Sequence, residues 1–410
     1  MTVTDFIDAR ADEIAAFASH LVQQPSPNPP GDTRPVADAV RALLARYGIE
    51  VATIADQDHT PNLIATVEGT APGPHLVLNG HMDVYPDGDT SLWTRSARSG
   101  EIADGRLHGR GAGDMKSGLT TLLYAFLALA DRGGLPGRLS LCAVSDEMSF
   151  SPHGAPLVLV ERPDLTGDAS IGAEPTSPDF VLCGEKGMLW LEVRTVGDGG
   201  SAAFAPGLRN AIDTMGDVLR DMAAYRDWQV EMPAEVHAAL AAGGTTGLPA
   251  EALTYADDAV LGLCTFNVGR IEGGRKINLV ADECRAEVDL RLPPGTTLET
   301  VRAFVADVIA RHAGASSTEI QAMEANWTDP ADPLVVALLD AGEQVLGTRP
   351  RPEFGITASD TRLWRERGRP AAMIGARIAG QGLPNESIAV ADLVGCAKVI
   401  ALGAERYLTR

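Results

Sequence analysis

Two short runs in this chain set a histidine or an acid where a ligand could reach it. Gly80-His81-Met82-Asp83 closes one apolar segment, and Gly109-Arg-Gly-Ala-Gly-Asp114-Met-Lys opens another. His81 and Asp83 stand two residues apart, so the carboxylate can orient the imidazole from behind; an ordinary polar pair in a surface loop would read the same way. The glycine-rich run lacks the G-x-x-x-x-G-K-[ST] spacing of a phosphate loop and carries an acid at its centre. That suits zinc or a hard cation better than an anion, although a single Asp before a helix is commonly only its N-cap. Ser145-Asp146-Glu147-Met148 and Ile171-Gly-Ala-Glu174 each put an acid after a further apolar run. One His with several carboxylates, each beside an expected strand end or helix start, is the donor set of zinc or a similar divalent ion.

The elements that must position these residues follow from periodicity. Helical spacing is expected over 5–20 and 36–47, strands over 49–54, 62–67 and 75–79, an apolar helix over 119–130 and a buried strand over 138–144. Strands alternating with helices indicate an α/β domain with a mostly parallel sheet, whose ligands bind outside the carboxyl ends of the strands. From about Met188 the order becomes β-α-β-β-α-β: strand 189–196, helix 210–225, strands 262–271 and 283–292, helix 298–312 and strand 318–323. That is the order of a small ferredoxin-like domain, here interrupted by a loop-rich stretch near 232–255. Helices 334–346, 361–367 and 391–408 with strand 371–375 then return to the α/β pattern. The reading is one α/β catalytic domain with helices on both faces of its sheet (1–186 and 327–410), split by an inserted ferredoxin-like α+β domain (187–326).

Composition narrows the function classes. The 410 residues carry 34 basic and 55 acidic side chains, a net charge of −21, which disfavours nucleic acid and anionic membrane surfaces as partners. Five scattered cysteines with no C-x-x-C pair argue against a disulfide framework or thiolate zinc site and suit a reducing compartment. The first residues are acidic where a signal peptide needs bases, and no apolar run approaches the ~20 residues of a membrane span. A cytoplasmic protein is expected.

Taken in order, G-H-M-D, G-R-G-A-G-D-M-K, S-D-E, G-A-E-P-T and P-N-E resemble the zinc-dependent aminoacylase and carboxypeptidase family, which includes acetylornithine deacetylase, succinyl-diaminopimelate desuccinylase and glutamate carboxypeptidase. The likeness runs from Pro25-Ser-Pro-Asn-Pro-Pro-Gly31 to Gly382-Leu-Pro-Asn-Glu386. It implies a hydrolase of linear amide bonds, acting on a small N-acyl amino acid, a dipeptide or a related carboxylate, and a homodimer formed through the inserted lid domain. His81, Asp114 and Glu174 resemble metal ligands, Asp83 the carboxylate that orients His81, and Glu147 the general base. Asn278, Arg291, Gly355 and Thr357 resemble substrate-binding positions.

Three departures accompany the likeness. Met148 stands where the family has a second-metal glutamate, and Gly382 where it has a second-metal histidine. Neither a thioether nor a glycine suits zinc or a hard cation. No His occurs between His153 and His237, so the lid histidine that the family uses toward the oxyanion is also missing. What remains is a three-ligand site for one Zn2+ per chain, or Co2+ or Mn2+ in its place. His153, Asp146, Asp360 and Glu386 lie near enough in the motifs to be weighed as replacement ligands for a second ion. Two other functions stay open: a metal-assisted lyase, cyclase or acyl-transfer enzyme on the same scaffold, and a catalytically inactive small-molecule binding protein.

Overall fold

The apolar runs that end at His81, Val144 and Gly172 form three adjacent parallel strands. A computed structural model of the protein describes residues 1–150, 152–243 and 258–410, and these divide into two units, Met1–Gly184 with 238–243 and Trp327–Arg410, and Glu185–His237 with Asp258–Asn326. In the first unit, strand Ala71–His81 pairs in parallel with Pro136–Val144 on one side and Ala169–Gly172 on the other. The register sets His81 opposite Val144 and Asn79 opposite Gly172. Three carboxyl ends therefore share one edge. Ala371–Met373 adds a further parallel strand beside Ala169–Gly172, while Asn62–Glu68 and Phe180–Glu185 run antiparallel. Among the described residues the sheet has nine strands and is mixed, with parallel strands at its centre.

Helix Lys116–Arg132 packs against strand Ala71–His81 and against helices Ala11–Gln23 and Val390–Leu408. Its run from Lys116 to Leu129 is buried on every side, as an all-round apolar helix must be. Gly118 fixes how closely it approaches: a Cβ there would lie 1.9 Å from the carbonyl oxygen of Ala173. Only glycine lets the start of this helix touch the loop that carries Glu174.

A second, four-stranded antiparallel sheet in the same unit consists of very short strands. Ile378–Ala379 pairs with Ser387–Ala389, which pairs with Arg106–His108, which pairs with Ile102–Ala103. It sets the loop after His108 beside the loop before Ser387, although some 280 residues separate them.

The other unit has strand order Thr265–Gly273, Glu283–Leu292, Gly187–Val196, Ala315–Met323, all antiparallel. With helices Ala211–Ala223 and Leu298–Arg311 this is the ferredoxin-like arrangement. Strict alternation of buried and more exposed residues along Glu283–Leu292 directs Cys284, Ala286, Val288, Leu290 and Leu292 into a core shared with Met215, Val218, Val301 and Val305.

Several elements differ from expectation. The helix over 5–20 is two, Val3–Asp8 and Ala11–Gln23. Arg10 leaves helical geometry between them and lays its guanidinium 3.6 Å above the Phe6 ring, with a hydrogen bond to the Tyr47 hydroxyl. The strand over 49–54 is shortened to Ala52–Ile54, and the helix over 361–367 to Arg362–Arg365. Strand Phe180–Glu185 has no counterpart in the sequence reading. The second half of the loop-rich stretch near 232–255 lies outside the described residues, and the first half contains helix Ala234–Gly243. Among the described residues no helix is long and apolar enough to cross a membrane, and all five cysteines are free and buried.

Candidate metal centre

His81 is the last residue of its strand, Glu147 lies three residues past Val144, and Glu174 two past Gly172. Their side chains meet because those three strands end together. Asp114 arrives from the other direction, in the turn that opens helix Lys116–Arg132. It does not cap that helix, whose N-cap position is Met115 and carries no side-chain cap. The ligand atoms of His81, Asp114 and Glu174 lie within 4.8 Å of one another, and all three residues are buried. His81 Nε2 is 3.2 Å from Asp114 Oδ1, 3.7 Å from Glu174 Oε2 and 3.8 Å from Glu147 Oε2.

The far side of the imidazole faces both the main chain and the side chain of Asp83. His81 Nδ1 donates to the main-chain carbonyl of Asp83 at 2.9 Å, with the Asp83 carboxylate 3.5 Å away. That bond leaves the Nε2 lone pair facing the acids, the tautomer a metal ligand needs. The Asp83 carboxylate also serves the neighbouring loop, accepting from the backbone N–H of Glu147 at 3.2 Å and of Met148 at 3.0 Å, and from Asn28 Nδ2 at 2.9 Å. Asp83 thus touches both His81 and the loop that carries Glu147. Asn28 also donates to Asp146 and accepts from Ser149, so a residue of the proline-rich loop ties the whole segment down. Nothing in the sequence distinguished Asn28 from any other loop asparagine.

The electrostatics are those of an acid cluster that lacks enough positive charge. Burial opposes the imidazolium of His81, but Glu174, Asp114 and Asp83 outweigh it and hold the group well above its ordinary value. Burial raises Glu147 well above the carboxyl range against the pull of His81, with Glu174, Asp360 and Asp114 adding to the rise. Burial likewise pushes Glu174 up to about 7. A divalent cation relieves this crowding, and a nitrogen with two carboxylate oxygens is a donor set that zinc and similar ions accept. The residues present therefore fit a metal.

Among the described residues no other group of three or more such ligands is found. Three of the weighed replacements are engaged elsewhere: His153 with Asp56 at 2.7 Å and Gln57, Asp146 with Asn28, and Glu386 with Arg110 at 2.6 Å. Asp360 is buried 3.7 Å from Arg362. Gly355 ends the strand Arg351–Gly355, and the buried Thr357 hydroxyl has no partner among the described residues. Asn278 is exposed in the second unit, and Arg291 there is paired with Asp289.

Sequence reasoning missed the zip between two loops that holds Asp114. Glu386 Oε1 accepts from the backbone N–H groups of Gly111, Gly113 and Asp114, while its other oxygen meets Arg110. Arg110 also donates to the Gly382 carbonyl, and Gln381 Nε2 donates to Asp114 Oδ2 at 2.9 Å.

Comparison with known proteins agrees with this chemistry. Residues 77–406 match the family described as Peptidase family M20/M25/M40. A succinyl-diaminopimelate desuccinylase of Rhodospirillum centenum is 27% identical, over 96% of this chain and 96% of that one. In fold, the chain is similar to an M20 family metallo-carboxypeptidase of Sulfolobus solfataricus, with a TM-score of 0.75, 20% identity and coverage of 96% and 99%. It is also similar to a Bacillus subtilis protein described as a dinuclear metal binding peptidase of that family, with a TM-score of 0.69, 15% identity and coverage of 98% and 100%.

Proposed function

The chain belongs to peptidase family M20/M25/M40, and from that premise we propose that it is a metal-dependent amidohydrolase that removes the acyl group from a small N-acyl amino acid or cleaves a dipeptide. The observation that carries this is the juxtaposition of His81, Asp114 and Glu174 with Glu147, a carboxylate outside the ligand set yet 3.8 Å from the same imidazole nitrogen. One Zn2+ is the assigned ion, held by His81, Asp114 and Glu174, and when bound it supplies a Lewis acid toward the amide carbonyl. Glu147 takes a proton from the attacking water as oxygen adds to the carbonyl carbon. It returns that proton to the nitrogen as the C–N bond breaks, giving a carboxylate and an amine. Its raised proton affinity suits the return of the proton, and the charge of a bound ion would lower that affinity for the first half of the task. Asp83 and Asn28 hold the Glu147 backbone in place.

Asn278, Arg291, Gly355 and Thr357 are assigned to substrate recognition, with the substrate's carboxylate as the group an arginine and an asparagine would read. N-succinyl amino acids lead the candidates because the curated relatives are desuccinylases. A binding-only protein would have no use for a general base kept together with its ligand set. A cytoplasmic homodimer formed through the second unit completes the proposal.

The test is a panel of N-succinyl and N-acetyl amino acids and dipeptides, incubated with the zinc-loaded protein and followed by amine release. Cleavage of at least one class, lost in Glu147→Gln, is expected; no cleavage across the panel overturns the hydrolase reading. Light scattering after size exclusion should give twice the mass of one chain.

A further inference from the structure

Asp114 presents its two carboxylate oxygens to different partners. Oδ1 faces His81 Nε2 at 3.2 Å, while Oδ2 accepts from Gln381 Nε2 at 2.9 Å. A carboxylate divided in this way either bridges two cations or serves one ion with its second oxygen hydrogen-bonded. Here the second oxygen is already taken by a neutral carboxamide donor. The residue after Gln381 is Gly382, which has no side chain to offer an ion.

Gln381 is also not free to drift. Gly382 has a φ of +69°, the left-handed region where glycine is favoured, and its carbonyl accepts from Arg110 at 3.1 Å. The same Arg110 pairs with Glu386, which in turn holds the backbone N–H of Asp114. Arg110 and Glu386 are both almost fully buried. One buried ion pair thus sets the position of the donor and of its acceptor.

We propose that Gln381 is a positioning residue for the metal ligand Asp114, occupying its outer oxygen so that the carboxylate serves a single ion through Oδ1. This rests on the metal-centre reading above and assigns the residue that sets its stoichiometry. Loss of a partner that orients a metal ligand typically weakens the ion by 10–100-fold, and that is the effect expected of Gln381→Leu, which keeps the bulk and removes the donor. Gln381→Glu puts a carboxylate against Asp114 Oδ2, and two facing carboxylates call for a cation between them.

The experiment is Zn2+ binding to the full chain, with affinity from competition against a chromophoric chelator and count from elemental analysis after dialysis. Thermal melts of each variant confirm folding. Expected are one equivalent for the wild type, one equivalent held 10–100-fold more weakly by Gln381→Leu, and a second equivalent taken up by Gln381→Glu. Two equivalents in the wild type overturn the inference, as do variants that both match the wild type in count and affinity. A wild type that binds no ion overturns the metal-centre reading itself, which separates the two failures.

Discussion

At the scale of single residues, the centre depends on who holds the protons before an ion arrives. Burial pushes Glu174 up to about 7, and its acidic neighbours hold His81 well above its ordinary value. A metal can use neither group while it is protonated, so an entering ion must displace those protons. The sign follows: affinity falls as pH drops through 7, by about tenfold per unit for each proton displaced. Calorimetry between pH 6 and 8, in buffers of different ionisation enthalpy, should show both the fall and the released protons; an affinity flat across that range would contradict the acid-crowded site. Glu147 lies outside the ligand set. Glu147→Gln should therefore keep its zinc while kcat drops by about 10²–10⁴, the usual worth of a general base, as steady-state kinetics beside metal analysis would show. Met148 and Gly382, where a second-metal glutamate and histidine were expected from the resemblance, were legible from sequence alone. Gln381 was not, because a glutamine becomes informative only once its amide is seen against Asp114 Oδ2.

At the scale of elements, two loops joined by Arg110 and Glu386 decide where Asp114 sits. Removing one partner of a buried ion pair strands the other, at a cost of about 3–5 kcal/mol, and Arg110→Met should lower stability by that order in urea unfolding. Burial already pushes Glu386 up to about 7, and losing the guanidinium would raise it further. Its neutral form then tolerates burial, so the destabilisation should be smaller below pH 7 and full above it. Equal losses at pH 6 and pH 8.5 would count against the pairing as the cause. The long strands and the apolar helix were readable, since four or more residues of clear periodicity leave a pattern. The small sheet of Ile102–Ala103, Arg106–His108, Ile378–Ala379 and Ser387–Ala389 was not. Strands of two or three residues carry no period, and their pairing spans most of the chain. The failed helix over 5–20 has a different cause: the stacking of Arg10 on Phe6 and its bond to Tyr47 are tertiary contacts that a helical pattern cannot reveal.

At the scale of the whole molecule, an ion that binds only the folded chain adds stability by mass action, about 2.7 kcal/mol at a hundred times its Kd. Differential scanning fluorimetry should show the melting temperature rising with added Zn2+ and returning with a chelator. In the Asp114→Ala variant that rise should be lost. An unchanged response there would place the stabilising ion elsewhere. The hydrophobic cores of the two units are built without the centre, so the chelated protein should keep its secondary structure. The join between residues 106–114 and 381–389 has a consequence for the order of events during synthesis. His81, Asp114 and Glu174 leave the ribosome well before Gln381 and Glu386, whose contacts aim Asp114. A nascent chain thus carries the three candidate ligands before the contacts that aim Asp114 exist, and tight ion binding is expected only once residue 386 has emerged.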